Sequence, residues 1–323
     1  MQKKRLLSGV KPSGRPHIGN YLGAMRQFVE LAKTHESYVF VADYHAMNTL
    51  HDGTILRQNI VDQVLDYLAI GLDPEETVLF KQSDLPEHME LCWIFNTLTT
   101  MPYLMRAHAY KDAEAKNKEL NVGTFDYPML MAADILLYSP DLVPVGADQK
   151  QHVEYARDTA EKFNRTYGET FKLPEAYIPK EVAVVPGIDG QKMSKSYGNT
   201  IPLFAEDVDI RKLCMSIVTD SKGVEESKDP DTCNVFALHT HFSTKDLPEL
   251  ERRYREGGIG YKETKERLAE NIIAFVTPLR EKRKALEGDI TLVRTVLTEG
   301  AEKARAVMQP KMAEVRKKVG VVL

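Results

Sequence analysis

The chain has 323 residues, 43% of them hydrophobic and 28% charged, with 43 Lys and Arg set against 47 Asp and Glu for a formal net charge of −4. This composition fits a water-soluble globular protein of about two domains with a sizeable core, and it excludes a polyanion binder driven by overall charge. No stretch approaches the roughly 18 apolar residues of a membrane span, and Met1-Gln2-Lys3-Lys4-Arg5 runs into Leu6 without a leader pattern, so cytoplasmic residence with no membrane partner is expected.

The predicted elements alternate through the first half. Leu6–Val10 reads as a short strand, and Gly19–Lys33 as a helix with Tyr21, Leu22, Met25, Phe28, Val29 and Ala32 on one stripe. Tyr38–Ala42 is an apolar run of buried-strand type. Residues 54–70 form an amphipathic helix stopped by Gly71 and Pro74. Thr77–Phe80 is the next strand, followed by helices near Glu87–Leu98 and Tyr127–Tyr138, a strand at Leu142–Val145 and a helix from Gln149 to Tyr167. The alternation predicts an α/β fold, a doubly wound parallel sheet of Rossmann-like type with helices on both faces. Ligands in such sheets sit beyond the carboxyl ends of the strands, so the turns after Val10, Ala42 and Val145 should line one crevice. After Ser196 only helices are predicted, at Val208–Val218, Leu247–Arg255, Tyr261–Leu286 and Ile290–Val319, which gives a catalytic unit over about 1–200 and a helical unit over 201–323. Lys303, Arg305, Lys311, Arg316, Lys317 and Lys318 make the last stretch basic, as a phosphate-facing patch or as the solvated face of a helix. Cys92, Cys214 and Cys233 lie too far apart for a disulfide framework or metal-ligand spacing, so reduced thiols are expected.

Two distant segments carry the chemistry. Pro12-Ser13-Gly14-Arg15-Pro16-His17-Ile18-Gly19-Asn20 follows the first strand. Its glycines permit a tight turn, and Gly19 opens a helix whose free N–H groups can face an anion. His17 can donate to phosphate oxygens, although a lone histidine after a turn is more often a cap or a surface residue. Lys192-Met193-Ser194-Lys195-Ser196 puts two ammonium groups on a loop flanked by Gly187, Gly190 and Gly198. Lysines in a loop are ordinarily solvated charge, but a compact charge on a long stem suits a mobile phosphate contact. Taken together the segments form a two-sided clamp for a nucleoside triphosphate, with His17, Lys192 and Lys195 stabilising charge on a leaving pyrophosphate.

These segments resemble the HIGH and KMSKS signatures of class I aminoacyl-tRNA synthetases. The second match is complete. In the first, Asn20 stands where many members carry another histidine, a variation common in the tryptophanyl branch, the tryptophanyl-tRNA synthetases of bacterial type. Tyr127-Pro128-Met129-Leu130-Met131-Ala132-Ala133-Asp134-Ile135-Leu136-Leu137-Tyr138 is similar to that branch's tryptophan-pocket helix. Val143-Pro144-Val145-Gly146-Ala147-Asp148-Gln149-Lys150-Gln151-His152 is similar to its second nucleotide loop, and Ala42-Asp43-Tyr44-His45-Ala46 to the turn after its second strand. The resemblance implies that Lys11, Pro12, Ser13, Gly19 and Asn20 meet ATP on the phosphate side. Gly146, Ala147 and Asp148 would meet the ribose, Val184 or Val185 the adenine, and Lys192, Met193, Ser194, Lys195 and Ser196 would close over the triphosphate. Asp134 would accept from the indole N–H, with Met131 and Tyr127 shaping the slot and His45 and Gln149 contacting the amino acid. Asp134 in an otherwise apolar helix suits that role, because an indole needs an apolar slot and one acceptor; local capping is the plain alternative.

The expected activity is therefore a tryptophan–tRNA ligase that forms tryptophanyl-adenylate from L-tryptophan and ATP and passes the acyl group to tRNA(Trp). Mg²⁺ would accompany ATP without a dedicated protein cage. The resemblance further implies a homodimer and an anticodon-binding helical region. Some relatives hold an iron–sulfur cluster there, which the cysteine spacing does not support. Tyrosyl-tRNA synthetase, a small-molecule adenylyltransferase of the same superfamily and a silent RNA-binding paralogue are the alternatives.

Overall fold

The computed structural model describes residues 3–115, 119–145, 150–177 and 185–322, the side chains at 108, 109, 112 and 113 excepted. Strand β1 (Arg5–Val10) leads into a continuous helical run made of α1 (Ile18–Asn20), a π turn (Tyr21–Met25) and α2 (Arg26–Ala32). Strand β2 (Glu36–Val41), the short α3 (Asp43–Ala46), α4 (Gly53–Ala69) and β3 (Thr77–Lys81) follow. Asp52 starts α4 by accepting from Thr54 N and Ile55 N. Then come α5 (Glu87–Leu98), α6 (Met101–Leu104), α7 (His108–Ala115) and α8 (Val122–Tyr138). Helix α8 begins earlier than the apolar pattern predicts because Asn121 caps it through Thr124 N, and it runs through Pro128. Strand β4 (Val143–Pro144), α9 (Lys150–Tyr167) and β5 (Ala176–Tyr177) complete the α/β half.

All strand pairs are parallel. β2 lies between β1 and β3, β4 joins β1 through the Leu6–Leu142 bridge, and β5 pairs with β4. The order is thus 3-2-1-4-5, the doubly wound arrangement expected from the alternation. Alternation along β2 separates two cores. Tyr38 and Phe40 join a cluster with α5, α8 and α9, while Val39 and Val41 join another with α4 and the later helices.

Helices α10 (Asp207–Met215), α11 (Asn234–Phe242), α12 (Leu247–Glu256), α13 (Tyr261–Ala285) and α14 (Ile290–Val319) follow. Helices α10 and α11 pack on α13, whereas α14 returns to cover the β3 edge of the sheet. Its Val293, Val296 and Leu297 enter one core, and Ala301, Ala304, Met308 and Met312 the other. Gly300 makes the crossing possible, since a Cβ there would lie 1.8 Å from Leu79 O. Part of the basic stretch on α14 is paired within the molecule, while Lys303 and Lys317 are exposed. Arg316 pairs with Glu90, Arg305 donates to Asp84 O, and Lys311 and Lys318 reach carbonyls of the 168–171 loop. No helix among the described residues is long and apolar enough to cross a membrane.

Candidate active site

The first turn leaves the carboxyl end of β1. Gly9 crosses the Phe40 ring so closely that a Cβ would sit 2.2 Å from Phe40 Cζ. Beyond it, Gln63 Nε2 donates to Val10 O and Asn59 Nδ2 to Pro12 O, each at 3.1 Å, so α4 holds the exit of the turn. Gly14 has a φ of 88°, in the left-handed region where a side chain is strained. Arg15 lies 3.5 Å from Asp66 and 3.8 Å from Asp62 on α4, with its guanidinium over Phe204. Arg283 of α13 donates to the same two carboxylates, at 2.7 Å to Asp66 and 2.5 Å to Asp62. This partly buried charge cluster ties the turn, α4 and the helical region together. Desolvation outweighs the two guanidinium groups at Asp66 and pushes its pKa up to about 6.

His17 is buried and caps the helical run. Its Nδ1 accepts from Asn20 N at 3.2 Å, and Asn20 Oδ1 accepts from His17 N at 3.1 Å. This pattern assigns the ring proton to Nε2. Burial and then the nearby Lys195 ammonium pull the His17 pKa down to about 4, so the ring is neutral at pH 7 with one N–H to donate. The helix start offers an anion less than the sequence implied. Ile18 N is already bonded to Ile201 O at 2.9 Å and Asn20 N to His17, which leaves the Gly19 N–H.

The Lys192–Ser196 segment lies directly against this turn. Residues 201–203 run beside residues 16–18, with Leu203 N donating to Pro16 O at 3.0 Å. Met193 is buried and packs beside Gly19, where a Cβ would meet Met193 Cβ at 3.3 Å. Ser194 Oγ accepts from Ser196 N, starting a short turn (Lys195–Tyr197) closed by Gly198 at φ 65°. Lys195 Nζ donates to Ser13 O at 3.0 Å and Gly14 O at 2.9 Å, across more than 180 residues of sequence. An ammonium has three donors, so one remains for a further acceptor. Desolvation lowers the Lys195 pKa against the opposing pull of Asp66. Lys192 is exposed, and among the described residues its ammonium has no hydrogen bond or ion pair. Sequence reasoning missed Asn199, which pins the loop from beneath. Its Oδ1 accepts from Ser194 N at 2.8 Å, and its Nδ2 donates to Asp189 Oδ1 at 2.7 Å and Lys192 O at 3.2 Å.

A cavity of about 310 Å³ opens from the first turn into the sheet, lined by Gly9, Lys11, His45, Tyr127, Met131, Asp134 and His152 among others. Burial of the Lys11 ammonium lowers its pKa. Tyr127 OH and His152 Nε2 meet at 2.5 Å on one wall. At the far end Asp134, 1% exposed, is met by three nitrogen groups. His45 Nε2 lies 2.8 Å from Oδ2, while Gln82 Nε2 at 2.7 Å and His88 Nδ1 at 2.6 Å both reach Oδ1. Burial alone would raise the Asp134 pKa, but the His45 and His88 hydrogen bonds and charges overcome it and hold the carboxyl at about 2. An ionised carboxylate only accepts, so both histidines donate to it. Gln82 and His88 also escaped the sequence reading, although both follow the carboxyl end of β3, where a ligand-facing turn is expected. A larger hollow of about 500 Å³ between α6 and α9, lined by Tyr103, Arg106, Asp158 and Arg165, lies away from both motifs and lacks this convergence.

Of the residues singled out from sequence, Lys11, Pro12, Ser13, His17, Gly19, Asn20, Met193, Ser194, Lys195 and Ser196 are brought together at the turn, and His45, Tyr127, Met131 and Asp134 at the adjoining cavity. Gly146, Ala147, Asp148, Gln149 and Val184 lie outside the described residues. Val185 is buried, and its carbonyl accepts from Met193 N at 2.9 Å. Among the described residues no group of three or more His, Cys, Asp or Glu side chains is arranged to hold a metal ion.

Residues 1–277 match the family described as tRNA synthetases class I (W and Y). A tryptophan–tRNA ligase of Fusobacterium nucleatum is 48% identical over 321 residues, covering 99% of this chain and 98% of that one. The chain belongs to the tryptophanyl branch of the class I tRNA synthetases. The corresponding ligase of Rhodopirellula baltica is 47% identical over 318 residues, covering 98% of this chain and 99% of the relative. The tryptophanyl-tRNA synthetase of Campylobacter jejuni, solved with ADP and tryptophan, superposes with a TM-score of 0.91 at 46% identity, covering 98% of this chain and 99% of that one. The Rossmann-like α/β fold with C-terminal helices, read from the order of the elements, is thereby established for this synthetase.

Proposed function

We propose that this synthetase is a tryptophan–tRNA ligase. It activates L-tryptophan with ATP and transfers the acyl group to tRNA(Trp). The observation that carries the reading is the apolar cavity that ends on an ionised, buried Asp134 and opens onto the His17 and Lys195 segments. An ionised acceptor inside such a slot selects a ring bearing an N–H, and the full-length likeness to tryptophan–tRNA ligases agrees. A tryptophan carboxylate oxygen would attack the α-phosphorus, with bond formation there and release of pyrophosphate. The protein aligns the reactants and meets charge as it develops. Neutral His17 would donate through Nε2 to a phosphate oxygen. Lys195, with one donor to spare, and Lys192, on the exposed side, would take the charge of the departing pyrophosphate. The 12–20 turn with Met193, Ser194 and Ser196 would enclose the nucleotide. Gly146, Ala147 and Asp148 are proposed for the ribose, Val184 for adenine and Gln149 for the amino acid. Mg²⁺ would arrive on the ATP phosphates, as expected for an ion that keeps water and phosphate ligands. In the second step a terminal ribose hydroxyl of tRNA takes the acyl group, with the helical region over 201–323 gripping the anticodon. The proposal includes a cytoplasmic homodimer. Met89, Trp93, Met101 and Met105 of the α5–α6 region are large apolar side chains left exposed, and covering them would favour a second copy.

Tryptophan-dependent ATP–pyrophosphate exchange, followed by charging of tRNA(Trp), tests the reading. Exchange with tryptophan and none with tyrosine or phenylalanine is expected. Exchange driven by tyrosine, or exchange without tRNA charging, would overturn it.

A further inference from the structure

Asp134 is the inner end of a buried relay that the reaction does not obviously require. Gln82, His88 and Tyr138 are all fully buried. Tyr138 OH lies 2.9 Å from His88 Nε2, and His88 Nδ1 lies 2.6 Å from Asp134 Oδ1. With Asp134 ionised, His88 must donate from Nδ1. Tyr138 OH meets the other ring nitrogen, Nε2. Gln82 adds a second donor on Oδ1, and its own Oε1 is buried without a partner among the described residues. That orientation is fixed by the carboxylate, because a flipped amide would turn oxygen toward oxygen. The relay is packed among the Phe40, Phe80 and Tyr38 rings. An apolar filling of the same volume would avoid burying these polar groups.

The two carboxylate oxygens therefore differ. Oδ1 accepts from both Gln82 and His88 and is saturated. Oδ2 accepts from His45, which lines the cavity, and retains capacity for one more donor. We propose that Gln82, His88 and Tyr138 are positioning residues for amino-acid selection: by saturating Oδ1 and fixing the carboxylate plane, they aim the spare lone pair of Oδ2 into the cavity, so that the pocket reads a ring N–H. The inference rests on the proposed role of Asp134 as the indole acceptor.

The test compares L-tryptophan with its isostere in which sulfur replaces the ring N–H, 3-(benzothienyl)alanine. The readout is the ratio of their kcat/KM values in ATP–pyrophosphate exchange. The wild-type ratio is expected at about ten to a hundred, the range of one buried hydrogen bond. Asp134→Asn tests the underlying reading and should bring the ratio near one. His88→Leu should do the same with the KM for ATP unchanged. His88→Asn, whose amide can stand in for Nδ1, should keep most of the preference, and Tyr138→Phe should lower it about threefold. If Asp134→Asn leaves the ratio intact, the role of Asp134 fails. If Asp134→Asn abolishes it but His88→Leu loses activity equally on both substrates, the relay is only structural and this inference fails. Should His88→Leu not fold, an unchanged ratio in Tyr138→Phe overturns the inference on its own.

Discussion

At the His17 end of the cleft the contacts run from side chain to backbone and lie near solvent. At the Asp134 end they run from side chain to side chain among buried groups at the base of the cavity. Lys195 rests on the carbonyls of Ser13 and Gly14, and the loop that carries it is pinned by Asn199. Asp134 instead is fixed by Gln82, His88 and His45 before any substrate arrives. Contacts of the first kind can be exchanged for contacts to phosphate as charge develops. Contacts of the second kind are costly to break, because each lost partner leaves a polar group buried. The difference assigns rate to one end and selection to the other, and it can be broken by separating kcat from KM.

The largest expected effect is at the phosphate end. Lys195→Ala should lower kcat for exchange by about two to three orders of magnitude, as for loss of a preorganised transition-state donor, and leave the KM for tryptophan within about twofold. Comparable changes in both parameters would dissolve the contrast. At the other end, Asp134→Asn should raise the KM for tryptophan about ten- to a hundredfold and change kcat little. Steady-state exchange at varied tryptophan measures it, and a KM near wild type would remove Asp134 from selection.

How much of this was legible beforehand follows the same division. The 12–20 and 192–196 segments are contiguous, so their glycines, His17 and the paired lysines could be read directly. Asp134 stood out as the one acid in the apolar 127–138 stretch. Gln82, His88 and Asn199 act through contacts made only by folding, and a single polar residue after a strand or within a helix carries no local pattern that separates it from a cap. The same reason hid the fate of α14. Its basic residues pair with Glu90 and with carbonyls of the 168–171 loop, distant in sequence, and its Gly300 meets the Leu79 backbone only in the folded chain. Strand β5, two residues long, and α3, α6, α7 and α11 were missed because short elements rest on tertiary contacts more than on periodicity.

Smaller effects sharpen the comparison. Asn199→Ala should lower kcat about tenfold, since it frees Ser194 N and the Lys192 carbonyl from their shared anchor, again with the KM for tryptophan unchanged. An unaffected kcat would mean that the 201–203 pairing alone holds the loop. His17 gives the smallest signal, visible in stability against pH. Its folded pKa of about 4 lies below its ordinary 6.5, so the unfolded chain binds the proton more readily. The stability contributed by neutral His17 is full above pH 6.5 and is lost as pH falls toward 4. His17→Asn, which can still cap the helix, should show a shallower fall in Tm across that window. Equal slopes would mean that His17 does not titrate as a buried neutral ring.

The account stands on one cleft with a selecting end and a reacting end. Its most direct test is a crystal structure of the chain bound to a non-hydrolysable tryptophanyl-adenylate analogue. The expected result is an indole nitrogen within about 2.7–3.2 Å of Asp134 Oδ2, and the adenylate's phosphate mimic beside His17 Nε2 with the Lys195 ammonium facing the leaving-group side. An indole nitrogen bonded elsewhere, or a phosphate mimic seated away from the 12–20 turn, would contradict it.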